Sequence, residues 1–286
     1  MKVVKIIIVI IVIMTTQLVC YANPIPPPIY EPSTNTNDVD ELIKLLSSAD
    51  IKVKTDAIIK LERMGKDAAK ALPELIKLLD DTASIDKKYW YSYSDGPSGS
   101  VAATAARALG MIRDSGAVEP LIKLLNSNDK DIKKAAADAL ASIGDKRAVE
   151  PLIKMLNDDD HDVRRSAVNT LNSFKDPRVI KPYISSLKDG WSRWEISEGL
   201  VSLGEPAVEP LIAALDTYAG KNAPDRNSRY YEIRGSIVSA LAKIKDRRAV
   251  DALIKRLGDR NEVASVSWAL AEIGDPRAIE PIIKLF

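Results

Sequence analysis

The chain has one cysteine, one histidine and two phenylalanines in 286 residues, and aromatics of all kinds make up only 5%. A single cysteine, Cys20, excludes an internal disulfide and a cysteine-rich metal site. A single histidine, His161, leaves no sequence from which a multi-histidine metal centre could be assembled. Charge of one sign is lacking too: 41 Lys and Arg stand against 40 Asp and Glu, a formal net charge of +1. Such a balance gives no electrostatic reason to expect nucleic acid as a partner. A glycine-rich phosphate loop and a Ser-His-Asp nucleophile arrangement are also missing from the sequence. No catalytic residue and no cofactor is expected.

What the chain has is alanine, leucine, isoleucine and valine, which dominate a 46% hydrophobic content and suit closely packed helices. The N-terminal end differs from the rest. Lys2 and Lys5 precede an unbroken apolar run from Ile6 to Met14, after which Thr15, Thr16 and Gln17 turn polar. This is the pattern of a secretory signal peptide over residues 1–22, with Cys20 and Ala22 at the −3 and −1 positions. The run is too short to span a bilayer alone, so a membrane enters only through this segment, as a signal or an uncleaved anchor. Lipidation at Cys20 fits poorly, because Gln17-Leu18-Val19 places no small residue before it. Lys2 and Lys5 are two of the 41 basic residues, so the mature chain would keep 39 against 40 acids, a net of −1. Residues 23–37 hold Pro24, Pro26, Pro27, Pro28 and Pro32 and are expected to be an extended linker. The expected address is periplasmic, cell-surface or secreted.

From residue 38 onward one segment recurs. Ala117-Val-Glu-Pro-Leu-Ile-Lys-Leu-Leu125 returns at Ala148–Leu156, Val179–Leu187, Ala207–Leu215, Ala249–Leu257 and Ala278–Phe286, in steps of 31, 31, 28, 42 and 29 residues. Looser copies begin at Asp38 and Ala71. Before each copy lies a second segment, best seen in Ile132-Lys-Lys-Ala-Ala-Ala-Asp-Ala-Leu-Ala-Ser-Ile-Gly144. Both segments carry apolar residues at helical spacing, so the unit is helix A, turn, helix B, turn. Gly144, Gly204 and Gly274 suit the left-handed end of helix A, and Asp145, Asp176, Asp246 and Asp275 follow as expected N-caps of helix B. The Pro of Glu-Pro-Leu falls in the first helical turn, where its missing N–H costs little. The prediction for 38–286 is an all-α solenoid with an opening half-repeat and seven helix pairs.

Units such as Asp162-Val-Arg-Arg-Ser-Ala-Val-Asn-Thr-Leu and Ile143-Gly-Asp-Lys-Arg-Ala-Val-Glu-Pro-Leu152 resemble HEAT repeats, most closely the phycobilisome-lyase-like (PBS lyase HEAT-like) kind. The resemblance covers 38–286 and implies an α-α superhelix. It implies three functional directions, a chromophore-lyase subunit, deoxyhypusine hydroxylase or a scaffold. The hydroxylase needs His-Glu pairs for iron, and His161 is followed by Asp162, so that activity is rejected. An export signal argues against an intracellular chromophore lyase. The expected function is an exported, non-catalytic scaffold for a protein partner.

Repeated charges read first as structural. Asp40/Lys44, Glu119/Lys123, Glu150/Lys154, Asp251/Lys255 and Glu280/Lys284 are spaced for i, i+4 pairs within helix B. Lys133, Arg164, Arg193 and Arg234 share one position on helix A and read as links between repeats. Asp158, Asp159, Asp160, His161 and Asp162 form a weak metal candidate, with inter-repeat capping as the simpler reading. Binding candidates sit where the repeat breaks. Insertions at 82–99 and 217–228 carry Tyr89, Trp90, Tyr91 and Tyr93 in the first, with Tyr218, Tyr230 and Tyr231 in or beside the second. Lys181, Trp191, Arg193 and Trp194 belong to the two units in which the acid–lysine pair fails and Tyr183 replaces Leu. Aromatic loops on one edge suit a protein partner. Stacking on sugars of a cell wall is the alternative.

Overall fold

The computed structural model describes residues 36–85, 99–218 and 229–285. The proposed signal segment, most of the linker, Tyr89, Trp90, Tyr91 and Tyr93 lie outside them.

Among the described residues the chain is a two-layer stack of helices with no β-strand. Among the described residues it opens with α1 (Val39–Leu45), a B-type helix. Seven A/B pairs follow: α2 (Ile51–Met64) with α3 (Leu72–Lys77), α4 (Val101–Ile112) with α5 (Val118–Leu124), and α6 (Lys130–Ile143) with α7 (Val149–Met155). Next come α8 (His161–Phe174) with α9 (Ile180–Ser186), α10 (Arg193–Leu203) with α11 (Val208–Thr217), α12 (Arg229–Ile244) with α13 (Val250–Ile254), and α14 (Val263–Ile273) with α15 (Ile279–Ile283). Each pair packs on the next, so the core is one continuous ribbon rather than a centre.

Small residues set the spacing of the A row. In α4 Ala102, Ala103, Ala105, Ala106 and Ala108 are wholly buried. A Cβ at Gly110 would lie 2.7 Å from Ala139 Cα of α6, so these two helices touch backbone to backbone. In the B row, Leu75, Leu121, Leu152, Leu211 and Leu253 occupy one register position and are fully buried. Truncating any of them to Ala would cost about 2–5 kcal/mol.

The turns refine the expected capping. Gly144, Gly204 and Gly274 do end their A helices at φ of 76°, 66° and 70°. Asp145, Asp176, Asp246 and Asp275, however, cap a 3₁₀ turn that precedes helix B, each accepting from the backbone N–H two residues on. The α-helical N-cap position is then an alanine or valine with no side-chain cap, as at Ala148 and Val179. At the first insertion the flanking backbone closes on itself. Ser84 and Ser100 form an isolated antiparallel bridge, and Ile85 N–H donates to Gly99 O at 3.1 Å.

Candidate functional site

The Asp after helix A recurs with an Arg two residues later, in Asp145-Lys-Arg147, Asp176-Pro-Arg178, Asp246-Arg-Arg248 and Asp275-Pro-Arg277. Each Arg folds back on its own Asp and then reaches the preceding unit. Arg147 donates to Asp145 and Glu119, and to the carbonyl of Ser115. Arg178 meets Asp176, Glu150 and the carbonyl of Lys146. Arg277 meets Asp275, Asp251 and the carbonyl of Arg247. Arg248 meets Asp246 and Glu205. Hydrogen bonds from Arg178 hold the Asp176 carboxyl down at about 2, and Arg248 does the same for Asp246. The rungs therefore stay ionised throughout the neutral range.

This ladder corrects the expected pairing within helix B. Of the five i, i+4 pairs, only Glu280–Lys284 forms, at 2.7 Å. Glu119, Glu150 and Asp251 are taken by the arginine of the next unit, and Asp40 by Lys70. A guanidinium offers several donors in a fixed fork and can reach a carboxylate and a carbonyl together, which a lysine on the same helix cannot. The helix A column does link elements, as expected. Lys133 reaches Asp158 at 2.5 Å, Arg193 reaches Glu232 at 2.5 Å, and Arg234 pairs with Glu262.

The joint between the fourth and fifth pairs lacks a rung. Where the fifth pair should present its Arg it has Pro206, and where the fourth pair should present its acid it has Lys181. Among the described residues every other joint between successive pairs carries an ion pair, and the joint between the fourth and fifth carries none. It is held by neutral groups instead. Tyr183, fully buried, donates to Asn172 Oδ1 at 2.7 Å, and Asn172 Nδ2 donates to Glu195 O of α10 at 3.1 Å. The ring fits because position 199 is glycine: a Cβ there would stand 2.1 Å from Asn172 Oδ1 and 2.7 Å from Tyr183 Cε2. Burial raises the Tyr183 pKa, so the phenol stays protonated and serves as a donor. Tyr183 is therefore packing, not surface.

The same joint gathers aromatic side chains at one edge. Arg164 of α8 lies over the Trp191 ring, 5.1 Å from its centroid, and its Nη1 donates to the carbonyls of Asp158 and Asp159. His161 meets Trp191 edge-on at 6.3 Å. Beyond Trp191, Arg193 bridges to Glu232 of α12, and Tyr218 sits 6.2 Å from Tyr230. The Tyr218 phenol has a raised pKa through burial, then through the charges of Tyr230 and Asp189, which places Asp189 beside it. Trp194 is 72% exposed and Tyr230 51%. Trp191 and Tyr218 are half-buried against the core, and Tyr231 is half-buried.

Of the candidate residues, the structure thus links Trp191 to His161 and Arg164, and Tyr218 to Tyr230. The Arg193–Glu232 bridge joins α10, whose first turn carries Trp194, to α12, which carries Tyr230 and Tyr231. Lys181 lies away from this edge on the B row. The acidic run does not converge. Asp158 turns to Lys133; burial pushes its pKa up, and the Lys133 hydrogen bond, the Asp160 N–H and the Lys133 charge together outweigh that and lower it. Asp160 caps α8 and faces Lys130. Among the described residues no group of three or more His, Cys, Asp or Glu side chains is placed to hold a metal ion. The ladder arginines and the His161–Trp191 contact were missed in the sequence reading. The first carried a signal, the Asp-x-Arg spacing; the second carried none.

Two family models match the chain. HEAT repeats match residues 91–172 and 149–221, and the PBS lyase HEAT-like repeat matches 233–259 and 264–286. No curated protein matches significantly. Among solved structures, the complex of CpcE and CpcF of phycocyanin lyase from Nostoc sp. PCC7120 is 20% identical, with 92% of this chain and 100% of that one covered at a TM-score of 0.50. An engineered protein is 25% identical over 86% of this chain and 71% of its own, TM-score 0.49. Human deoxyhypusine hydroxylase in complex with glycerol is 18% identical over 82% and 95%, TM-score 0.39. The likeness to the lyase complex is one of fold.

Proposed function

The chain belongs to the HEAT-repeat family, with PBS lyase HEAT-like units toward its C-terminal end, and from that premise we propose that it is a non-catalytic scaffold that holds a protein partner outside the cytoplasm. The observation that carries the reading is the aromatic edge at the joint of the fourth and fifth pairs. A stack buries apolar rings wherever it can, so Trp194 at 72% exposure contributes little to the fold. Exposed tryptophan and tyrosine around fixed arginines are the residue types that dominate binding energy at protein interfaces. The Arg164–Trp191 stack and the Arg193–Glu232 pair hold this edge in one arrangement, which lowers the entropy lost on binding. Export is supported by the Lys2, Lys5 and Ile6–Met14 pattern alone.

Two measurements test the two halves of the proposal. Affinity capture from the envelope fraction should recover a partner with the native chain and lose it with W194A/Y230A, while helical circular dichroism is unchanged. Equal recovery by both proteins would remove the aromatic edge from the interface. N-terminal sequencing of the protein from fractionated cells should find a chain beginning at Asn23 outside the cytoplasm. A cytoplasmic protein that retains Met1 would refute export.

A further inference from the structure

Two clefts of the same kind open between successive B helices. The one between α5 and α7, about 340 Å³, is lined by Ile122, Leu125, Asn126 and Pro151. The one between α7 and α9, about 360 Å³, is lined by Ile153, Leu156, Asn157 and Pro182, the same side chains one unit on. Their charges differ. In the first, Lys133 is neutralised by Asp158, and Lys154 is the remaining cation. In the second, α9 has Lys181 for Glu150 and Ser185 for Lys154, and the turn that follows it has Lys188 for Asn157. Lys181 and Lys188 are both exposed, and neither forms an ion pair among the described residues. Asp189 is the one carboxylate in the lining.

The stack itself gains nothing from this exchange. A lysine at 181 would repel an arginine in the rung position, and that position holds Pro206, so the repulsion is absent and the cation is left without an ion-pair partner among the described residues. Positions 181, 185 and 188 share one helical face. Seven residues of helix place the two lysines roughly 10 Å apart along the axis. An extended chain advances about 3.4 Å per residue, so carboxylates three residues apart span the same distance. Ser185 and Asn157 provide neutral hydrogen-bonding groups between them, and Ile153 and Pro182 an apolar floor. We propose that the cleft between α7 and α9 docks an acidic segment of a protein partner in extended form, with Lys181 and Lys188 each meeting a carboxylate. The proposal rests on the reading of the chain as a binding scaffold and is independent of the aromatic edge, although Asp189 borders both.

The test is fluorescence anisotropy of a labelled octaglutamate peptide titrated with the full chain at low salt. K181E/K188E should weaken binding about tenfold, the effect of losing two exposed charge pairs. K123E/K255E makes the same change of net charge elsewhere on the B row and should leave binding within about twofold. Equal weakening by the two double variants, or by neither, overturns the proposal, as does octaglutamine binding as tightly as octaglutamate. If K181E/K188E loses its helical signal, K181Q/K188Q is titrated instead, with about threefold weakening expected and none overturning the proposal. W194A/Y230A should bind the peptide as the native chain does. Envelope capture lost in that variant with peptide binding intact separates failure of one site from failure of the other.

Discussion

At the joint between the sixth and seventh pairs, Glu262 lies buried between Arg234 and Arg256, with the Arg234 and Glu262 side chains each 3% exposed. At the joint between the fourth and fifth, Tyr183 and Asn172 do the same work without charge, and the surface rung is missing. The two joints share a backbone plan and differ in how firmly they depend on their neighbours. A buried ion pair is unforgiving, because removing one partner strands the other away from water. A neutral hydrogen-bonded ring tolerates adjustment. The solenoid thus combines a tightly clamped C-terminal part with a middle joint whose outer edge is left to other uses; the proposed aromatic surface lies at that joint, and the proposed cleft opens one joint earlier, with the fourth pair common to both.

The sharpest way to break the comparison is Glu262→Ala. It should lose about 3–5 kcal/mol in thermal or denaturant unfolding by leaving Arg234 buried without its partner. A loss below 1 kcal/mol would mean that the clamp is not buried in solution. Next is Gly199→Ala, which drives a methyl into Asn172 and Tyr183 and should cost about 1–3 kcal/mol. Adding Tyr183→Leu and Asn172→Ala returns the joint to the pattern of its neighbours and should recover most of that loss. If the triple variant is no more stable than Gly199→Ala alone, the three residues are not one packing unit. The smallest effect is expected from K181E/P206R, which builds the missing rung. It should raise stability by about 0.2–1 kcal/mol, read as a small increase in melting temperature. A decrease would show that the joint's geometry, not only its residues, forbids the rung.

The repeat was legible from sequence because the period, the turn residues and the apolar spacing all point to one unit, and every helix pair follows it. The partners of individual charges were less legible. Glu119 and Lys123 stand at ideal spacing on one helix, yet Arg147, from the next unit, takes the acid. Spacing along the chain identifies what a residue could reach, and the stack supplies a competitor that only the fold brings near. The departures at Tyr183 and Gly199 were visible one at a time. Their dependence on each other was not, since they lie on different helices of different pairs. At the aromatic edge Trp191, Trp194, Tyr218 and Tyr230 stand out in the sequence as departures from the repeat, and only the structure adds Arg164 and His161 to Trp191.

The bridge between Ser84 and Ser100 has a consequence for how this chain can change. Because Ile85 and Gly99 meet at one hydrogen-bonded point, the chain leaves and re-enters the stack side by side, and the register of α2, α3 and α4 is set by the stack itself. Loop closure grows only with the logarithm of length, about 0.6 kcal/mol per doubling. The position behaves as a socket: sequence can be exchanged or lengthened there while the stack that carries it folds as before, so new binding specificity could evolve, or be grafted, without renegotiating the fold.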